Sequence, residues 1–319
     1  MKRLLFTLRP LSAFGSRPNA GMLFGQLCCT IRLMFGRQRL VELLEGYCEG
    51  RPFAVVSDAM PAGCVPLPTI PLFLWVPCTS TLEDRKRWKK MRWMAIDGVK
   101  EKPGQWHRFV RAADELLEGS VFAGRDSLFH NTIRRDTLTT GTGQFAPYQK
   151  TVIFFSPRAR LEIQAVIDDE RMPMDDFVAA VRAMGQTGFG ADASAGLGKF
   201  DVEQVRELPS ETAANRYYLA LSAFAPQGLH LDASGSYYGT QTYFGRHGGE
   251  RVHGVSPFKR PLLLAATGAL IDCGSEKRLQ WIGRGISGHS VYADTVHQGY
   301  AVVIPLTQWS ASEAPVVAG

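Results

Sequence analysis

The chain lacks the patterns that catalytic and cofactor-binding proteins rely on. Its six cysteines, Cys28, Cys29, Cys48, Cys64, Cys78 and Cys273, include no C-x-x-C pair, and five of them crowd the first quarter. Neither a zinc framework nor a disulfide scaffold is indicated. H-E-x-x-H and G-x-S-x-G are both missing, and the seven histidines (His107, His130, His230, His247, His253, His289 and His297) contain no pair at zinc-site spacing. Gly21 to Phe35 is apolar but carries Gln26 and Arg32. It falls short of the roughly 20 residues that cross a bilayer, and it reads as a buried helix. The apolar part of Met1 to Pro10 is too short for a secretory signal. These absences point to a reduced, cytoplasmic protein with no membrane contact, metal or cofactor.

What is present is an ordinary globular composition, 45% hydrophobic and 21% charged, in a chain of 319 residues. That length favours two domains. The formal net charge is +6, and it is concentrated: Arg85 to Arg111 holds ten Lys or Arg against Asp97 and Glu101, so the rest of the chain is slightly acidic. A basic patch suits a polyanionic partner, because cations that neutralise phosphates release condensed counterions. The same segment contains Trp88, Trp93 and Trp106. Interleaved aromatics could stack on the bases of single-stranded RNA. A solvated charged helix anchored by core tryptophans fits the same residues equally well.

Local patterns predict a first strand at Leu4–Leu8, a turn-rich loop from Pro10 to Pro18, a helix over Met22–Phe35, and a second helix at Arg39–Leu44 ended by Gly46 and Gly50. Phe53–Ser57 is strand-like. Five prolines between Pro61 and Pro77 then forbid regular helix. Gly141-Thr142-Gly143 lies between the β-prone runs Thr137–Thr140 and Gln144–Tyr148, which predicts a hairpin whose arm begins at His130. Strands follow at Thr151–Phe155 and Ala159–Ile167. A helix spans Met174–Met184, with Asp175 and Asp176 in its first turn, and a strand covers Lys199–Val205. Collected, residues 1–209 form a β-α-β-β-α-β unit with a large insertion, a ferredoxin-like arrangement. Leu208-Pro209-Ser210 marks the expected boundary to a strand-rich second domain, 210–319, with runs at Arg216–Phe224, Tyr237–Phe244, Leu262–Ile271 and Ala301–Leu306. The fold class is α+β.

Five glycines between Gly185 and Gly198 invite a nucleotide-binding reading. A Walker loop is excluded, since Ala193 stands where its first glycine would be and Phe200 follows Lys199 where Ser or Thr is needed. A Rossmann loop is excluded by order, because here a helix precedes and a strand follows. The glycines can still bring backbone amides close to a phosphate, with Ser194 and Lys199 adding side-chain donors. A flexible helix-to-strand connection is the plainer alternative.

The order of motifs resembles the RAMP proteins of CRISPR interference, and among them the fourth-subunit family of the type III-A (Csm) complex. The likeness is carried by Gly21-Met22-Leu23-Phe24-Gly25, Val56 to Pro61, Leu67-Pro68, Asn131 to Thr137, Gly188-Phe189-Gly190 with Ser194, Gly196, Gly198 and Phe200, then Phe258-Lys259-Arg260-Pro261 with Gly268, and His297 to Ala301. Thr69 after Pro68 and Ala20 before Gly21 depart from the family pattern. The resemblance implies two ferredoxin-like (RRM-like) domains, a β-hairpin thumb, and no catalytic centre. It implies partners as well: the 5′ tag of a crRNA, the large polymerase-like subunit, a backbone RAMP subunit and, indirectly, target RNA. On this reading His130 to Tyr148 is the thumb, with His130, Asn131, Arg134 and Arg135 on the RNA and Thr137 near a displaced base. Gly188, Gly190, Ser194, Gly196, Gly198 and Lys199 cradle the backbone, and Lys259 adds a cation. Arg134 and Arg135 could instead pair with Asp136 or Asp126. The alternative function is a metal-independent guide-RNA-processing endoribonuclease, for which His130 beside Arg134 and Tyr148 is the plausible cluster.

Overall fold

The computed structural model describes residues 1–77, 81–118, 120–209, 213–248, 251 and 254–309. Cys78, His253 and the boundary residue Ser210 lie outside them. In chain order the main elements are β1 (Lys2–Pro10), α1 (Ala20–Phe35), α2 (Arg37–Leu44), β2 (Ala54–Val56), β3 (Met60–Pro61), β4 (Cys64–Pro66), α3 (Leu82–Trp88), β5 (Trp93–Ala95) and β6 (Val110–Arg111). They continue with β7 (Ala123–His130), β8 (Tyr148–Phe155), β9 (Leu161–Ile167), α4 (Met174–Thr187), β10 (Phe200–Leu208), β11 (Asn215–Ala220), β12 (Thr240–Tyr243), β13 (Leu262–Ala265), β14 (Leu270–Lys277), β15 (Trp281–Ile286) and β16 (His297–Pro305).

The first sheet has the order β10-β1-β9-β2, with every pairing antiparallel. Because α1 and α4 follow its first and third strands, this is the ferredoxin-like pattern. Both helices start and stop on local chemistry. The Asn19 side chain accepts the Met22 N–H at the start of α1, and Gly36, at φ +90°, ends it. In α4, Pro173 precedes the first turn, Asp175 and Asp176 sit in it, and Gly188 at φ +94° closes the last. Leu23, Leu27, Phe177, Val181 and Met184 from the helices meet Phe6, Ile163 and Ala165 of the sheet in the buried core.

Register decides which loops are neighbours. Leu8 pairs with Leu161, Pro10 with Phe200 and Pro61 with Leu161, so the glycine-rich loop, the Leu11–Asn19 loop, the start of the inserted segment and the β8–β9 turn all leave one end of the sheet.

The inserted segment is not one charged helix. It holds the short α3, a three-stranded β4-β5-β6 sheet and 3₁₀ turns. Trp106 is fully buried, donates its indole N–H to the Glu101 carbonyl at 3.0 Å and stacks on Trp309 with ring centroids 5.9 Å apart. That removes it from the set of rings available to RNA. Trp88 and Trp93 are half-buried against the same core, with Trp88 edge-on to Trp75.

Two further expectations are corrected. The hairpin arms are β7 and β8, paired from Ala123–Phe155 to His130–Tyr148, and residues 131–147 are its looped tip. The glycines Gly141 and Gly143 made the turn visible, but Thr137–Thr140 do not pair. The second sheet, β14-β11-β16-β15, is antiparallel, and no helix occurs among the described residues after Thr187 other than a single 3₁₀ turn at Ala193–Ala195. A second β-α-β-β-α-β unit is therefore not formed by these residues. Leu262–Ile271 splits into β13 and β14 at Gly268, whose φ of +87° turns the chain while its carbonyl accepts the Thr69 N–H at 2.7 Å. Buried Leu219, Leu270, Tyr300 and Val302 join the core of the first sheet, so one apolar cluster runs through both.

Candidate nucleic-acid interface

The glycine-rich loop is closed at its neck and open at its tip. Phe189 donates its N–H to the Gly198 carbonyl at 2.9 Å, and Gly198 donates to the Ala13 carbonyl at 2.8 Å. A Cβ on Gly198 would lie 2.0 Å from the Phe189 carbonyl oxygen, and one on Gly188 would lie 2.5 Å from that of Leu197. These two glycines are required for the close approach of two backbones. Gly188, Gly196 and Lys199 also spend their amides internally, on the Met184 and Ala193 carbonyls and the Ser12 hydroxyl. The expected cradle is therefore narrower than the motif. The amides of Gly190, Asp192, Ala193 and Ser194 are the ones with no hydrogen bond among the described residues. Asp192 itself holds φ +60°, and Ser194 and the Lys199 side chain are exposed.

The hairpin is tied to this loop. Phe14 and Ile153 exchange both backbone hydrogen bonds at 2.8 Å, joining the Leu11–Asn19 loop to β8. Phe14 packs on Phe155 and Phe189, with centroids 5.0 and 6.2 Å away. The Lys150 ammonium then reaches Asp192 at 2.5 Å, and that hydrogen bond raises the lysine pKa above its ordinary value. Lys150 and Asp192 escaped the sequence reading, because an ion pair between positions 42 apart leaves no local pattern.

At the hairpin tip, His130 stacks on Tyr148 with centroids 5.4 Å apart. Arg134 bonds Asp136 through two nitrogens, at 2.8 and 3.2 Å, and lies over the Phe145 ring. This is the ion pair left open as an alternative to phosphate binding, and it holds the Asp136 carboxyl below its usual range. Arg135 and Asn131 are exposed. Thr137 shares a hydroxyl hydrogen bond with Thr139 at 3.0 Å, beside Leu138, a non-glycine residue at φ +54° and 78% exposed. Phe129 and Ile133 are likewise exposed, so the tip presents apolar side chains and cations together.

Lys259 is not with these groups. It is half-buried beside Cys28, Cys29, His247, His289 and His297, and burial pulls its pKa down. Among the described residues no group of three His, Cys, Asp or Glu could hold a metal ion. None of the described helices is long and apolar enough to cross a membrane.

No family model and no curated protein matches the chain. Solved structures do match over nearly its whole length. A chain of the Csm3–Csm4 subcomplex in the type III-A CRISPR-Cas interference complex superposes with TM-score 0.62 at 13% identity, covering 96% of this chain and 99% of that one. Chains of the Csm1–Csm4 cassette give 0.58 at 14% identity in its complex with cA4, covering 97% and 99%, and 0.53 at 16% with pppApA, covering 95% and 97%. The fold is thus the α+β RAMP class of type III-A CRISPR subunits. Csm4 is the component common to these assemblies, and the likeness is to a Csm4-like fold.

Proposed function

We propose that the chain is a non-catalytic subunit of a type III-A CRISPR effector that grips the 5′ tag of the guide RNA and bridges the large polymerase-like subunit to the backbone RAMP subunits in the cytoplasm. The observation that carries this reading is the convergence of two unlike elements on one end of the sheet. The unpartnered amides of Gly190 to Ser194 lie next to Lys150 of the hairpin, through the Lys150–Asp192 ion pair. Amides offer close, sequence-independent hydrogen bonds to a ribose-phosphate chain, while exposed Arg135 and Lys199 supply charge. The exposed Phe129, Ile133 and Leu138 give the tip apolar surface to set against a base. The fold likeness to chains solved together with Csm1 and Csm3 supports the two protein partners.

Arg135→Ala combined with Lys199→Ala tests the reading. Removing one cation from a phosphate of a single strand should reduce the log–log salt slope by about 0.7, so the pair should flatten it by about 1.4. A slope unchanged from wild type removes both cations from the interface. Incubation with repeat-containing RNA separates the endoribonuclease alternative: specific cleavage abolished by His130→Ala would overturn the non-catalytic assignment.

A further inference from the structure

A second polar cluster lies away from the loop and hairpin, where α1 meets the start of β16 and the β12–β13 region. His247, His289 and His297 are only 6, 4 and 3% exposed. Tyr243 packs on His297 with centroids 4.7 Å apart, and His289 stands edge-on to His297 at 5.9 Å. His247 has a partner, the Ser290 hydroxyl at 2.9 Å. His289 has none on either ring nitrogen among the described residues. A buried imidazole with both nitrogens unpaired is costly, and such groups in folded proteins are met by water or a ligand.

The surroundings favour an anion. Lys259 is close enough to all three rings to lower their pKa values, although burial is the larger cause for each. The groups acting on Lys259 are Cys28, Cys29 and Arg251, with no carboxylate among them. Asp294 is engaged by Arg251 at 2.6 Å. The start of α1 contributes a partial positive charge, with no acid in its first turn. Gly21 in that turn lies against His297, where a Cβ would sit 2.5 Å from the ring Cε1. Gly25, one turn on, faces open space. The Gly21–Gly25 motif thus lets the helix approach the rings and leaves a gap beside them.

We propose that this cluster is a phosphate-binding pocket, in which Lys259, His289 and the first turns of α1 hold a phosphate group of the bound RNA. The proposal rests on the RNA-holding function above and adds a second grip remote from the hairpin.

The test is NMR of histidine ring nitrogens in the full chain, with orthophosphate and, separately, a short repeat-derived oligonucleotide. Sodium chloride at matched ionic strength serves as control. The His289 and His297 rings should shift with both phosphate probes and not with chloride. Lys259→Met, with folding checked by circular dichroism, should weaken orthophosphate binding by about tenfold, as expected when one charge-assisted hydrogen bond is removed. His289→Gln should weaken it as well. Rings that ignore orthophosphate would mean water alone fills the gap, and the pocket is refuted. Oligonucleotide that binds without moving these rings would refute the pocket while leaving the RNA-holding function standing. Oligonucleotide that does not bind at all would overturn that function together with the assignment of the phosphate to RNA.

Discussion

Gly198→Ala and Gly196→Ala should behave very differently, although both residues sit in the same loop with positive φ, +73° and +90°. A left-handed conformation costs an alanine about 1–2 kcal/mol at either position. At Gly196 nothing lies within 4 Å of the added Cβ, so the cost stops there. At Gly198 the Cβ would be 2.0 Å from the Phe189 carbonyl oxygen and 2.6 Å from its nitrogen. Relief requires the two strands of the neck to part, which strains a packed site by about 1–3 kcal/mol. It also breaks the Phe189-to-Gly198 hydrogen bond, worth about 1 kcal/mol. Gly198→Ala should therefore destabilise by about 3–5 kcal/mol, a large part of the roughly 5–15 kcal/mol that holds a domain. Denaturant unfolding of both variants measures the difference. Equal destabilisation, or a larger effect at Gly196, would refute the idea that the neck glycines serve backbone approach.

Two further outcomes follow from buried groups. Asp58 accepts the Ala20 N–H at 2.7 Å and the Thr267 hydroxyl at 2.6 Å, yet desolvation pushes its carboxyl up to about 6. A raised folded-state pKa means stability is greatest below pH ~4, falls as pH rises to ~6 and stays lower above, a span of about 3 kcal/mol at 1.4 kcal/mol per unit. Asp58→Asn should flatten that fall. Stability curves for the two proteins that stay parallel between pH 4 and 6 would count against it. Trp106→Ala should cost about 3–5 kcal/mol as a large-to-small core change, while the folded fraction keeps its RNA affinity in a filter-retention assay. A stable variant with weakened RNA binding would instead return Trp106 to the interface.

Much of the fold was legible because local chemistry set it. Asn19 and Gly36 bound α1, and Pro173 and Gly188 bound α4. The strands β1, β9 and β10 fall where the apolar runs predict them. The hairpin was legible only as a turn. Its arms β7 and β8 are amphipathic and partly exposed, so apolar alternation is weak there. β15 was missed for a related reason: Trp281-Ile282-Gly283-Arg284-Gly285-Ile286 carries two glycines and an arginine within six residues. Those glycines let the Gly299 carbonyl and Tyr47 come close, a demand set by neighbours far along the chain.

The sequence by itself determined the order of helices and strands in the first sheet, the glycine-lined turn and the identity of its candidate RNA-facing residues, since each depends on residues within a few positions. Tertiary structure alone decided which amides stay open, that Lys150 joins hairpin to loop through Asp192, that Trp106 is interior, and that three histidines gather beside α1. These features arise from burial and from packing between residues tens to hundreds of positions apart. Such distances carry no period or spacing for a reader of the chain to detect.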